Sequence, residues 1–408
     1  VQYFKKNVEI ASLYGVSESA VRNWIEAARE GRLNLELHEH AGRFFIASTP
    51  NNKLIMQQQA EQGKKYRNAA HHRVITPAPE FYKIYNSAQV ADIVSELDIY
   101  REIPLKYSYF NGGAELWDKH VQKLIDEPAL DFWTFTNKLM NLNKAYIGDL
   151  LGDSRRVNII DLGAGTAMPD KVLMTYLIEQ GILGRYIGID LSEAMLSITR
   201  KNLTSWFGDQ IAIETYVRDI NIERFNDLLI EESFHHSSKK PINIVLLLGG
   251  TIANFRSPKQ ALGLIRSSMG RNDLLIYSER LDTSSSRPYF DFSPEVEKLE
   301  QLSARHRIML DLLNIDESCY EVEQVFDEKK QERFIHARLK VSLSIRFELN
   351  GGERTIDINR GETILIWRGG QDRDVLGYVQ QLNESGFNIN SCSTMDNEYF
   401  LAIAAIKV

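Results

Sequence analysis

Residues 9–32, EIASLYGVSESAVRNWIEAAREGR, carry apolar side chains at helical spacing on both sides of Gly15. Ile10, Ala11 and Leu13 give the first segment an inner face, and Val21, Trp24 and Ile25 form the stripe of the second. Ser17 stands at the N-cap position with Ala20 three residues on, a plain cap rather than a reciprocal capping box. Two short helices about a glycine are a helix-turn-helix pattern. LNLEL and GRFFIA then alternate as the strands of a small hairpin, a candidate wing. Residues 51–72, rich in Asn, Gln and Lys, predict a polar helix or linker, and the prolines of ITPAPE at 75–80 mark a boundary. From 80 to 150 the pattern is helical and aromatic-rich.

The period changes at Val157. In VNIIDLGAGTAMPDK the near-continuous apolar run predicts a buried parallel strand, followed by Gly163 and Gly165 and then a helix carrying Val172, Leu173, Tyr176 and Leu177. Glycine is required where a backbone approaches a ligand at a strand end, because a Cβ would stand in the way. RYIGIDLS ends a second strand at Asp190, where a carboxylate accepts ribose hydroxyls. IETYVRDI places Asp219 at the end of a third, within reach of an adenine amino group, with Ile220 against the ring. INIVLLLGGTIANF carries a fourth buried run into a loop. Any one of these residues alone is explained by a strand-end turn. The four ends in order predict a nucleoside cofactor, S-adenosylmethionine (SAM), on a Rossmann-like α/β sheet. A complete Gly-x-Gly-x-x-Gly and a Gly-Lys-Ser/Thr loop are both missing, which argues against NAD and ATP.

Between the fifth and sixth strands, HARLKVSLSIRFEL and GERTIDI alternate as antiparallel strands about Asn350-Gly351-Gly352, predicting an inserted α+β cap over the substrate side. The expected fold class is α/β: a class I methyltransferase sheet with this cap and a small N-terminal winged helix-turn-helix. The expected divisions are 1–50 for the helix-turn-helix and wing, 51–79 for the linker or polar helix, 80–281 with 370–408 for the methyltransferase domain, and 282–369 for the cap.

Composition changes this picture little: 43% hydrophobic and 25% charged residues suit a globular protein of 408 residues. The net charge of -7 is uneven, with 11 Lys and Arg against 7 Asp and Glu in residues 1–75. A basic N-terminal module is suited to DNA, and Ser17, Ser19, Arg22 and Asn23, beside Glu18, lie at the start of the would-be recognition helix. Against phosphate contact stand Glu18, Glu26 and Glu30. Cys319 and Cys392 fit no metal or disulfide spacing, and the His pairs at 71/72 and 235/236 and His38-x-His40 lack companion ligands, so no metal is expected and these histidines are read as surface residues. No apolar run approaches the roughly 20 residues that span a bilayer, and VQYFKKNVEIASLYGV has no secretory-signal pattern. A cytoplasmic protein is expected, a homodimer if recognition helices act in pairs.

The chain resembles the histidine-specific SAM-dependent methyltransferases of ergothioneine formation and their fungal dimethylallyltryptophan N-methyltransferase relatives over about residues 75–408. PLKYSYFNGGAELWD, IDLGAGTAMPDK, IGIDLS, LLLGGTIANF, RGETI and GFNI…EYFLAIA carry the resemblance. It implies that Gly163, Lys171, Asp190, Asp219 and Ile220 contact SAM and that Asn254 holds the amine or carboxylate of an amino-acid acceptor. The family's Tyr-Tyr-Pro-Thr segment is replaced around PALDFWTF, and its late Glu-x-Ser, which grips the imidazole, falls near Trp367 and Gly369. The expected acceptor is therefore an amino acid or related small metabolite other than histidine, with Trp367 and Tyr289 (beside Phe290) as candidate substrate residues. Arg368 is a candidate partner for an acid. The N-terminal unit resembles the winged helix-turn-helix of MerR-like and excisionase proteins.

In-line methyl transfer mainly requires an aligned, deprotonated nucleophile, and no catalytic base is assigned from the sequence. DNA methylation is disfavoured: the loop after the fourth strand reads GGTIAN rather than Asp/Asn-Pro-Pro-Tyr/Phe, and neither cysteine follows a proline. The alternative is a DNA-binding regulator that keeps the fold as a SAM or metabolite sensor.

Overall fold

The computed structural model describes residues 3–4, 6–40, 43–69, 72–126, 132–152, 156–230, 241–281, 297–299, 301–327, 332–371, 373–396 and 398–407. The chain forms two compact units. One comprises Val1–Val74 with Val341–Ser344 and Asp357–Arg360, and the other comprises the remainder.

In the first unit, helix Asn7–Tyr14 ends at Gly15, whose φ of 61° is the left-handed cap that glycine adopts without Cβ strain. Helix Glu18–Arg29 starts at Ser17, whose side chain accepts from the Ala20 amide at 3.2 Å. Strands Leu37–His40 and Arg43–Ile46 pair antiparallel. Ile10, Val21, Trp24, Ile25 and Ile46 share a core with Met56 and Ala60 of helix Pro50–Ala69. Two expectations are corrected here. Leu13 is 62% exposed, because the buried stripe of its helix runs Ile10, Ala11, Tyr14 rather than through position 13. Of the two readings of the polar 51–72 stretch the helix is found, as Pro50–Ala69, and it joins the core: Asn52, Met56 and Ala60, four apart, face inward, and the buried Asn52 amide bonds the Glu36 amide and the Glu36 and Ala47 carbonyls, each at 2.9 Å. His72 is no surface residue either, since its ring meets Ser344 at 3.0 Å and Asn359 at 3.3 Å. His71, His235 and His236 lie outside the described residues.

The second unit is organised by a seven-stranded sheet. In chain order its strands are Val157–Leu162, Leu183–Asp190, Ala212–Val217, Ile242–Leu247, Leu274–Arg280, Phe387–Met395 and Tyr399–Ile406, and in space they run 6-7-5-4-1-2-3. The first five are parallel, and the seventh lies antiparallel to both the fifth and the sixth. Alternate residues of the buried strands serve separate cores on the two faces: Ile160, Leu162, Val245 and Leu247 on one, Ile159, Ile244, Leu246 and Ile276 on the other. A parallel sheet covered on both faces demands such apolar strands and leaves its carboxyl edge as the place for polar function.

The segment between the fifth and sixth strands contributes helix Ala304–Leu312 and a four-stranded antiparallel sheet of Glu297–Leu299, Tyr320–Asp327, Glu332–Leu339 and Thr363–Gln371. Strands Leu343–Leu349 and Gly352–Ile358 flank the turn at Asn350-Gly351. Among the described residues no helix is long and apolar enough to cross a membrane.

Candidate active site

The first strand ends in a turn that its sequence makes obligatory. Gly163 sits at φ 72°, and a Cβ there would lie 2.8 Å from the Thr251 side chain, so only glycine serves. Helix Glu193–Phe207 fixes the loop that follows: Thr199 Oγ1 donates to the Gly165 carbonyl at 2.7 Å, and the Asn202 amide donates to the Thr166 carbonyl at 3.0 Å. Asp190, the last residue of the second strand, accepts from the Ser192 amide at 3.0 Å and the Gly165 amide at 3.4 Å. Burial pushes its carboxyl up to about 6, and the two amides oppose the rise. Asp219 follows the third strand by two residues. Its Oδ1 accepts from the Asn221 amide at 3.0 Å and its Oδ2 from Lys106 at 2.7 Å.

These residues open onto a cavity of about 280 Å³. Its lining includes Asp161, Gly163, Gly165, Asp190, Asp219 and Ile220, from the ends of the first three strands, and also Lys106, Tyr109, Trp117, Thr251, Asn254 and Arg256. Behind the glycine turn lies a buried acid pair, also on the cavity wall. Tyr186 donates to Asp161 at 2.5 Å, and Asp170 keeps one oxygen, Oδ2, without a hydrogen-bond partner. Burial pushes both carboxyls up, and the neighbouring Asp161 pushes Asp170 further.

The cavity brings together Gly163, Gly165, Asp190, Asp219, Ile220 and Asn254, all singled out from the sequence. Lys171 is not on its wall. The 3₁₀ turn Met168–Asp170, entered through Ala167 at φ 56°, presents Asp170 instead, while the Lys171 ammonium lies 4.8 Å over the Trp206 ring. Trp367 is also off the wall, with its ring 6.4 Å from that of His306. Arg368 bonds Glu332 at 2.8 Å and Glu102 at 3.4 Å, so it does meet acids, but within the protein. Tyr289 and Phe290 lie outside the described residues. In the first unit Ser17, Ser19, Arg22 and Asn23 are exposed.

Two ionic clusters of the wall were not found from the sequence. Lys106, in the 3₁₀ segment Leu105–Tyr109, bridges Asp219 and Asp92 (2.8 Å). Burial disfavours its charge, but the two carboxylates more than offset this and raise its pKa. Arg256 bonds Glu96 and, at 2.7 Å, Glu102. The signal for Lys106 was present in the PLKYSYF motif; Arg256 directly follows the GGTIANF loop. Among the described residues no group of His, Cys, Asp or Glu is placed to hold a metal ion.

A sheet of this order, with a glycine turn after its first strand and acids after its second and third, defines a class I SAM-dependent methyltransferase. The chain belongs to the family of histidine-specific, SAM-dependent methyltransferases, whose model matches residues 89–406. Among curated proteins none matches. Similar solved structures include a SAM-dependent methyltransferase from Clostridium acetobutylicum ATCC 824 (11% identity, covering 71% of this chain and 98% of that one, TM-score 0.39). The PH0226 protein from Pyrococcus horikoshii OT3 (13%, 65% and 90%, 0.34) is another. A third is the glycopeptide N-methyltransferase MtfA in complex with S-adenosylhomocysteine (12%, 65% and 90%, 0.32). The enzyme is thus a methyltransferase with SAM as cofactor, and its residues fit that cofactor: the glycine turn of Gly163 and Gly165 and the acids Asp190 and Asp219, after the second and third strands, line one cavity.

Proposed function

We propose that the enzyme methylates a nitrogen of an amino acid or related small metabolite other than histidine. One observation carries this reading: the cavity lining bears Asn254, in the loop after the fourth strand, together with Glu96, Glu102 and Arg256, neutral and charged groups of both signs that suit a zwitterion. SAM supplies an electrophilic methyl group. The chain's part is to hold its nucleoside with Asp190, Asp219 and Ile220 at the glycine turn of Gly163 and Gly165, and to orient the acceptor with Asn254. Against histidine stands the strand Thr363–Gln371, where the Trp367 ring lies over Gly369 so closely that a Cβ there would be 2.0 Å from it. That leaves no side chain at Gly369 to grip an imidazole.

The test is transfer of labelled methyl from SAM into a fractionated cell extract, following small molecules, protein and nucleic acid separately. Label in one amino-acid-like metabolite is expected; absence of label from every fraction, with SAM bound, would sink the proposal. For the first unit we infer a winged helix-turn-helix that contacts DNA through Ser17, Ser19, Arg22 and Asn23, supported by their exposure and the local excess of basic residues. Fluorescence anisotropy with a labelled duplex should show binding that weakens with salt. No change with salt or with Arg22→Ala would remove this role and the regulator alternative with it.

A further inference from the structure

The Asp219 carboxylate is held both from its own turn and from a distant part of the chain. Within the turn, its Oδ1 accepts from the Asn221 amide at 3.0 Å, and its backbone amide donates to Glu223 Oε1 at 3.0 Å. The remaining bond comes from 113 positions away, where Lys106 Nζ donates to Asp219 Oδ2 at 2.7 Å. Neither side chain is sealed off: Lys106 is 25% exposed and Asp219 10%, and both line the cavity together with Ile220 and Asn221.

Lys106 is itself fixed. Its ammonium also bonds Asp92 Oδ2 at 2.8 Å, and that oxygen accepts from the Tyr107 hydroxyl at 2.7 Å. Tyr107 is buried, with its ring centroid 5.1 Å from the ammonium and 5.4 Å from that of Tyr85, whose hydroxyl donates to the Tyr107 carbonyl at 2.9 Å. A long, flexible side chain is thereby pinned at its tip. A partly desolvated ion pair adds little stability of its own; what this one fixes is the position of the Asp219 carboxylate.

Charge narrows what completes the cluster. One ammonium stands between two carboxylates, so the three groups carry a net negative charge, and the carboxylates can only accept hydrogen bonds. Burial disfavours the Lys106 charge, but the two carboxylates more than offset this, so the ammonium persists. An anionic ligand group would be repelled here, whereas a neutral N–H donor is matched. The 6-amino group of adenine is such a donor.

We propose that Lys106 is a positioning residue for the cofactor's base: it holds Asp219 as a fixed acceptor for the adenine 6-amino group and so makes the pocket selective for a 6-aminopurine. This role rests on the nucleoside contact proposed above for Asp219.

Full-length wild type, Lys106→Met, Lys106→Arg and Asp219→Ala would be titrated by calorimetry with 5′-methylthioadenosine and with its counterpart bearing hydrogen in place of the 6-amino group. Wild type should prefer the amino compound by about 10- to 150-fold, the range of a hydrogen bond to a charged acceptor. Lys106→Met should cut that preference to about threefold or less, and Lys106→Arg, which keeps the charge, should retain most of it. Equal weakening of both nucleosides in Lys106→Met, with the preference intact, would make Lys106 a structural tie only and overturn its positioning role. Asp219→Ala separates the two readings. If it abolishes the preference while Lys106→Met does not, the role of Lys106 alone fails; if wild type shows no preference, or Asp219→Ala keeps it, the Asp219 contact fails and the role of Lys106 with it. Should Lys106→Met not fold, Lys106→Gln, which keeps a neutral donor, is measured in its place, and an unchanged preference there overturns the role equally.

Discussion

One part of the cavity lining, the first wall, is drawn from three short continuous runs around residues 161–170, 189–195 and 218–222, each following one of the first three strands. The rest, the second wall, combines residues from 92 to 117 with the 248–256 loop after the fourth strand, and Glu102 ties it to Arg368, and through it to Glu332, of the segment between the fifth and sixth strands. Apart from the Lys106–Asp219 pair that joins the two, the first wall is held by backbone: amides of Gly165 and Ser192 on Asp190, and helix side chains on loop carbonyls. The second is held by side-chain ion pairs such as Arg256–Glu102 and Arg368–Glu332. Backbone geometry tolerates few substitutions, whereas an ion-pair network can be rewired one residue at a time. The contrast teaches that this enzyme should keep its cofactor rigidly and be free to change its acceptor.

Substitution at Gly163 should separate the walls most sharply. Gly163→Val meets both a positive φ and the Thr251 contact, and is expected to weaken S-adenosylhomocysteine binding more than about 100-fold by calorimetry. Asp190→Ala removes hydrogen bonds from a charged acceptor, worth ~1.5–3 kcal/mol, and binding should fall about 10- to 150-fold. Full affinity in that variant would mean that the nucleoside does not reach the second strand. On the second wall, Glu102→Gln leaves Arg256 with Glu96 and Arg368 with Glu332. The acceptor KM should rise about tenfold while S-adenosylhomocysteine affinity stays within about twofold; a matching loss of cofactor affinity would erase the distinction between the walls.

The smallest effect is that of pH. If Asp190 accepts the ribose hydroxyls as proposed, its ionised form is the stronger acceptor, and its carboxyl is raised to about 6. Cofactor affinity is therefore complete above about pH 7 and falls as pH drops through 6, by at most about tenfold per unit. Without ligand the sign is the opposite one for stability. The folded protein holds this proton more tightly than the unfolded chain, so the folded state loses stability as pH rises between the usual carboxylate range and 6. Asp190→Asn should abolish the midpoint near 6; its persistence would assign the titration to another group.

Most of the first wall was legible in the sequence, because a strand, its turn and its acid are neighbours in the chain and each demands a residue type. Gly163, Gly165, Asp190 and Asp219 needed no partner from elsewhere to be recognised. Lys171 lies off the cavity lining, where the turn through Ala167 presents Asp170, a local detail that the motif does not reveal. The second wall was largely illegible for a physical reason: Arg256 and Glu102 are 154 positions apart, and Arg368 and Glu102 are 266 apart, so nothing in either neighbourhood announces the pair. Asn52 shows the same limit in the first unit. It stands in a run of polar residues that reads as solvated, yet the hairpin's backbone groups draw it inside.

The division of the chain carries a practical consequence. The N-terminal unit includes Val341–Ser344 and Asp357–Arg360, and the buried His72 ring rests on Ser344 and Asn359. A piece cut off after Val74 takes with it the core of Ile10, Val21, Trp24, Ile25, Ile46, Met56 and Ala60 but leaves behind both seats of that ring. A graft of this piece onto another protein is therefore expected to fold about its core and to free His72.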